Sequence, residues 1–233
     1  MAATPDNKPT LHHLNNSQSQ RILWLLEELE IPYNLELHNR NAANDPNGPF
    51  RSPPSLTSIG KYGKAPLLVT GPADGSRIIP ETQAIATYLL RTFPSAFAGP
   101  HDDWVRDEML CSVIQTSLSR ATFTLLMLDF RILKNGASTM FDGPELRKAL
   151  GDVQRELVDG GAEYLMGARP GRADFLLEFP LSSVRHRGSV DLKAEFPALD
   201  AWLDRVYERP AWKRALAKGN GYDLSVFPKL PHE

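Results

Sequence analysis

Apolar positions along this chain switch between two periods, and the switches mark its elements. In "TLHHL" (10–14) they alternate, with Leu11 and His13 on one face and His12 and Leu14 on the other, which predicts a short strand. Ile22, Leu25, Leu26 and Leu29 then recur at i, i+3, i+4 and i+7, with Leu23 and Trp24 widening the stripe. That helix ends at Pro32, and a stripe so broad needs covering on more than one side. Alternation returns in "YNLELH" (33–38), while residues 39–56, rich in Asn, Pro and Ser, read as an irregular surface segment. "APLLVTG" (65–71) and "SRIIP" (76–80) are strand-like runs joined by the turn residues "PADG". "ETQAIATYLLRTF" (81–93) is a helix with Ile85, Leu89 and Leu90 among its apolar positions. The order is β-α-β followed by β-β-α.

"PSAFAGPHDD" (94–103) has a linker's composition, and beyond it only the helical period persists. One long helix is expected from Trp104 to about Leu133, stopped by "NGAS". A second opens at Pro144, suited to a first helical position, and runs to about Asp159. A third begins near Arg172, and a fourth covers "ALDAWLDRVYER" before Pro210. The chain thus divides into a small α/β domain (10–93) and an all-helical domain (103–225), without internal repeats.

Composition narrows the function classes. The 233 residues suffice for one large domain or two small ones with real cores, and 42% apolar with 23% charged residues is an ordinary globular balance. A formal charge of −2 without a block of like charges argues against nucleic acid or an anionic membrane as main partner. Residues 1–9 lack the apolar core of a secretion signal, and no run of 18 apolar residues could span a membrane. A lone cysteine, Cys111, excludes an intrachain disulfide and fits a reducing compartment, so a cytoplasmic location is expected. His12 and His13 point to opposite strand faces and cannot share an ion, and no metal is expected.

Four motifs, in order and at matching spacing, resemble the cytosolic glutathione transferases. "HHLNNSQSQRILWLLEELEIPYNL" is similar to the start of the serine-type enzymes of fungi and bacteria. "GKAPLL" resembles the strand carrying that family's cis-proline, here Pro66. "IPETQAIATYL" resembles the Glu-Ser motif opening the third helix, and "GRADFLLEFPL" the capping-box helix of the second domain. The resemblance implies a thioredoxin-like first domain and a helical second one. Four positions depart from the pattern: Gln18 where Arg is common, Gly60-Lys61 for His-Pro, Thr82-Gln83 for Ser-Gly, and Gly171 for the capping Ser/Thr. Asp174 can still face the positive start of that helix.

The family's task is to hold a small thiol as thiolate. A thiol has a reference pKa of roughly 8.5, and lowering it by about two units requires ~2.7 kcal/mol of preferential anion stabilisation. A helix start and a donated hydroxyl proton are suitable sources. Ser17 lies where both act, although Ser17 with Gln20 also fits an S-x-x-Q capping box. Asn16 is the reserve donor. The resemblance further implies that Glu81 and Thr82 take the γ-glutamyl end of glutathione, and that Ala65, ahead of Pro66, presents its backbone to the cysteinyl part. Lys64 matches a glutathione-contacting position, and Arg51 is placed for the glycyl carboxylate.

An acceptor pocket is expected between the domains, lined by Arg120 and Phe123. Residues 1–110 contain no cysteine, which excludes a glutaredoxin-like or omega-type thiol mechanism in the first domain. The expected partners are glutathione, an electrophilic small molecule and a second copy of the chain in a homodimer. Three readings follow: thiolate addition to an electrophile, glutathione-dependent cis/trans isomerisation in a natural-product pathway, or a non-catalytic glutathione-binding regulator.

Overall fold

The structure, a computed structural model, describes residues 7–46, 48–93, 103–129 and 137–229. It divides into two compact units, the first Met1–Ala98 with Glu208–Asp223, the second Gly99–Tyr207 with Leu224–Glu233. The first unit is thioredoxin-like and the second helical.

In the first unit, β1 (Thr10–Leu14) is followed by α1 (Ser19–Glu28) and β2 (Asn34–His38). Next come a single helical turn α2 (Pro54–Thr57), β3 (Leu67–Val69), β4 (Ile78–Pro80) and α3 (Thr82–Thr92). The sheet order is β2-β1-β3-β4, with β1 parallel to β2 and the other pairs antiparallel. Register sets Leu11 opposite both Leu35 and Leu68. As alternation requires, the two histidines part. His13 is fully buried, while the His12 Nδ1 lies 3.2 Å from the His38 Nε2 on the other face.

Every α1 residue from Ser19 to Glu27 is buried. The sheet covers one side, and α10 (Pro210–Lys218) covers another, with Trp212 edge-on to Trp24 at 5.8 Å between centroids. Arg209 pairs with Glu28, and Arg214 (3.0 Å) and Lys218 pair with Glu27. Pro210 therefore stops one helix and starts another, since a proline costs nothing at a first helical position.

The second unit holds α4 (Trp104–Val113), a π-helical turn (Ile114–Leu118) and α5 (Ser119–Asp129) in place of one regular helix. The expected continuation to Leu133, the first residues of "NGAS" and most of the 94–103 linker lie outside the described residues. Asp103 caps α4 by accepting the Arg106 N–H at 2.9 Å. The next helix, α6 (Ala137–Asp159), begins before Pro144, correcting the expected start. One forfeited N–H bond did not end the helix there. α7 (Arg172–Arg187), α8 (Leu192–Glu195) and α9 (Pro197–Glu208) complete the unit.

Asp174 anchors the start of α7. It is fully buried and accepts the Gly171 N–H (2.8 Å), the Leu165 N–H (2.9 Å) and the Trp202 indole N–H (3.0 Å). Burial pushes its carboxyl up to about 6, against the pull of these donors. The carboxylate thus reaches back to the N-cap residue and on into a loop, more than the first-turn contact expected of it. No described helix is long and apolar enough to cross a membrane.

Candidate functional site

The β1–α1 turn is built by residues that supply its bonds locally. Ser17 accepts the Ser19 N–H at its Oγ (3.1 Å) and the Gln20 N–H at its carbonyl (3.1 Å). The helix N-cap is Gln18, without a side-chain cap bond, so the S-x-x-Q box does not form as such. The Ser17 hydroxyl still satisfies one of the first-turn donors. It is 3% exposed and faces inward, 2.7 Å from the Leu14 carbonyl and 2.7 Å from the Ser19 Oγ. Ser19 in turn lies 3.0 Å from the His13 Nδ1.

Asn16 is held by the backbone. Its φ of +48° is a left-handed conformation that asparagine tolerates better than most residues. Its N–H donates to the Gly221 carbonyl (3.0 Å), and its Oδ1 accepts the Asp223 N–H (2.7 Å). Arg40 closes the same turn from below, donating to the carbonyls of Asn15 (3.1 Å), Asn16 (3.3 Å) and Phe50 (2.8 Å). Burial pulls its pKa down to about 10, which leaves it cationic at neutral pH.

Gln18 and Arg21 connect this turn to two others. The Gln18 amide donates to the Ala65 carbonyl at 3.4 Å, directly before a cis Ala65–Pro66 bond. Arg21, 1% exposed, donates through Nη2 to Gln18 Oε1 (2.6 Å) and to Thr82 Oγ1 (2.7 Å). Thr82 is buried at the start of α3. Glu81, just before it, is exposed and holds φ +67°, ψ 126°. A glutamate there costs about 1–3 kcal/mol of backbone strain, which is typical of residues held for a ligand.

The remaining expected residues are more peripheral. Lys64 is exposed beside buried Ala65, and Arg51 is exposed with its side chain folded over Gly48. Gly48 holds φ +130°, which side-chain-bearing residues rarely adopt, and a Cβ there would displace the Arg51 side chain, whose Cδ would lie at 2.3 Å. Arg120 and Phe123 are exposed on α5, in the second unit. Cys111 is fully buried, and desolvation with nearby Asp107 pushes its thiol up to about 12, the character of an inert core residue. No cluster of three metal-ligating side chains exists among the described residues.

The sequence singles out none of Arg21, Arg40 and Ser19 for the site, and it weighs His13 only against a metal ion shared with His12. A charged residue inside an apolar helical stripe, as Arg21 is, was the available signal. Arg40 and Ser19 gave none, because their partners are set by the fold.

Comparison with known proteins bears on this geometry. The family profile for the glutathione S-transferase N-terminal domain matches residues 17–92, and that for the C-terminal domain matches residues 117–210. Glutathione S-transferase 3 of Schizosaccharomyces pombe is 27% identical, the match covering 93% of this chain and 90% of that protein. A crystallised glutathione S-transferase from Actinobacillus pleuropneumoniae superposes with a TM-score of 0.78 at 27% identity, over 95% of this chain and 97% of that one. The fold is also that of a sphingomonad glutathione S-transferase solved with glutathione (TM-score 0.68, 20% identity, 89% of this chain and 97% of that one).

Proposed function

This chain belongs to the glutathione transferase family, and we propose that it binds glutathione in its first unit and adds the thiolate to an electrophilic small molecule. One observation carries the reading. Gln18 and Arg21 tie the Ser17 turn to both the cis Ala65–Pro66 bond and Thr82. Three segments far apart in sequence are thereby held together, which supports reading them as one site.

In this reading the γ-glutamyl carboxylate lies at the start of α3, against Thr82 and the positive helix end, with Arg21 behind it. Glu81 takes the ammonium, and its strained backbone aims it outward. Ala65 pairs with the cysteinyl backbone as a neighbouring strand would. Lys64 and Arg51 take the glycyl end. The thiolate then meets Ser17 at the start of α1, where a hydroxyl proton and the helix dipole both favour the anion. Arg120 and Phe123, the latter 59% exposed, are assigned to the electrophile.

The cradle is tested at Thr82. Removing one charge-assisted hydrogen bond costs roughly 1.5 to 3 kcal/mol. Calorimetry should therefore find glutathione binding at least about tenfold weaker in Thr82→Ala, because each 1.4 kcal/mol is a factor of ten. Thr82→Ser, which keeps the hydroxyl, should bind as the wild type does. Equal affinity in all three proteins would remove Thr82 from the site.

We also propose a homodimer. Trp104 (72% exposed), Val105 (58%) and Met109 (44%) leave an apolar face on α4 that a twofold contact would cover. Light scattering at micromolar concentration should report twice the chain mass. A value near one chain mass would overturn the dimer without touching the glutathione site.

A further inference from the structure

We propose that His13 and Ser19 form a buried donor chain that frees the Ser17 hydroxyl for a thiolate, with His13 as a positioning residue. The proposal rests on the reading of Ser17 as the thiolate's donor. It starts from a difficulty in that reading, since the Ser17 hydroxyl faces the Leu14 carbonyl at 2.7 Å. Turning its proton outward would strip a buried acceptor of its partner, which is costly unless another donor takes over.

The structure holds that other donor. The Ser19 Oγ lies 3.0 Å from the same Leu14 carbonyl. Whether its proton is available depends on His13. The Ser19 Oγ already accepts the Leu14 N–H at 3.0 Å, and it lies 3.0 Å from the His13 Nδ1. If Nδ1 were a bare lone pair, it would compete for the Ser19 proton. If Nδ1 carries hydrogen, it fills the second Ser19 lone pair, and the Ser19 proton must go to Leu14 or Ser17.

The surroundings of His13 select the second arrangement. The ring is fully buried, and burial pushes its pKa down to about 4, so it is neutral and has one N–H. Its Nε2 has no hydrogen-bond partner among the described residues. That edge faces Gly219, and the Ala215 carbonyl and Gln20 Oε1 border the same space, each 3.3 Å from where a Gly219 Cβ would sit, but neither bonds Nε2. A hydrogen on Nε2 would be a buried donor without an acceptor, whereas on Nδ1 it has Ser19. His13 therefore donates to Ser19. When Ser17 turns its proton to a thiolate, Ser19 donates to Leu14 in its place. No bond is broken covalently and no proton changes owner; one hydrogen bond replaces another.

The test is the ultraviolet thiolate titration of glutathione bound to the full-length protein, with affinity measured separately. His13→Leu removes the N–H that orients and polarises the Ser19 hydroxyl toward Leu14. It should raise the thiol midpoint by about half a unit to one unit, a three- to tenfold loss of thiolate at pH below both midpoints. Glutathione affinity should be unchanged at that low pH, where the thiol binds protonated. His13→Asn, which places an amide N–H near the Nδ1 position, should restore the midpoint. Ser19→Ala should raise it as His13→Leu does, and carries the test if His13→Leu does not fold. In a Ser17→Ala background neither change should add a further shift, because the chain then has no end. A lower melting temperature with an unmoved midpoint in both His13→Leu and Ser19→Ala, beside a shifted Ser17→Ala, would mean packing alone and overturn the relay. An unmoved midpoint in Ser17→Ala itself would overturn the Ser17 assignment, and the relay with it.

Discussion

Asp174→Ala is expected to destabilise the helical unit by about 3 kcal/mol or more, the loss of several buried hydrogen bonds at once. The carboxylate is fully buried and receives N–H groups from Leu165, Gly171 and Trp202. Alanine leaves those donors without an acceptor in a packed interior, and Gly171 supplies no side chain to compensate. Asp174→Asn is milder, since the amide keeps one oxygen but turns a nitrogen toward a donor. The two substitutions also separate by pH. The folded carboxyl lies at about 6, above the ordinary aspartate value of 3.8. Between those values the folded state binds more protons than the unfolded one, so this group's contribution to stability falls as pH rises. Asparagine does not titrate. Its deficit against the wild type should therefore be largest near pH 4 and smallest above about pH 6. Denaturant melts at the two ends of that range check the sign, and a constant deficit would mean the aspartate does not titrate there.

How far the sequence could be read follows from the kind of signal each feature leaves. The broad stripe on α1 was legible because period and width are local properties, and it demanded cover on two sides. What supplies the second cover was not legible. α10 lies beyond Pro210, which reads equally as a stop or a start, and only Trp212 packed on Trp24 decides between them. The π-turn at Ile114–Leu118 was invisible, since one extra residue in a turn changes spacing without changing composition. Pro144 misled in the other direction, being read as a start where the helix simply continues.

The site divides in the same way. Ser17, Pro66 and Thr82 are candidates marked by their motifs, and the cis bond falls where the resemblance implies it. The side chains that join them are not. Gln18, noted only as a departure from Arg, spans to Ala65, and Arg21 spans 61 residues to Thr82. Such links depend on where the fold returns the chain, and neither spacing nor composition records that.

Ser17→Ala should separate capping from thiolate stabilisation, because the two forecast different outcomes. As a cap, Ser17 accepts the Ser19 N–H, and its loss should lower stability by about 1 kcal/mol. The Leu14 carbonyl keeps Ser19 as a donor, so no larger structural loss is expected. As a thiolate donor, the hydroxyl is worth about 1.5 to 3 kcal/mol of anion stabilisation. Its removal should then raise the bound thiol's pKa by roughly one to two units. Wild-type and variant proteins are to be titrated with glutathione bound, following thiolate absorbance, and assayed with a model electrophile. For a wild-type midpoint of about 6.5, turnover at neutral pH should fall roughly three- to twenty-fivefold in step with the lost thiolate. At high pH the gap should narrow, because both proteins then hold the anion. Melting the two proteins without glutathione measures the cap separately. If the melt drops while the midpoint and the turnover stay put, Ser17 only caps α1. The thiolate donor would then be sought at Asn16, whose Oδ1 is held by Asp223 but whose amide N–H groups could still be turned to a ligand.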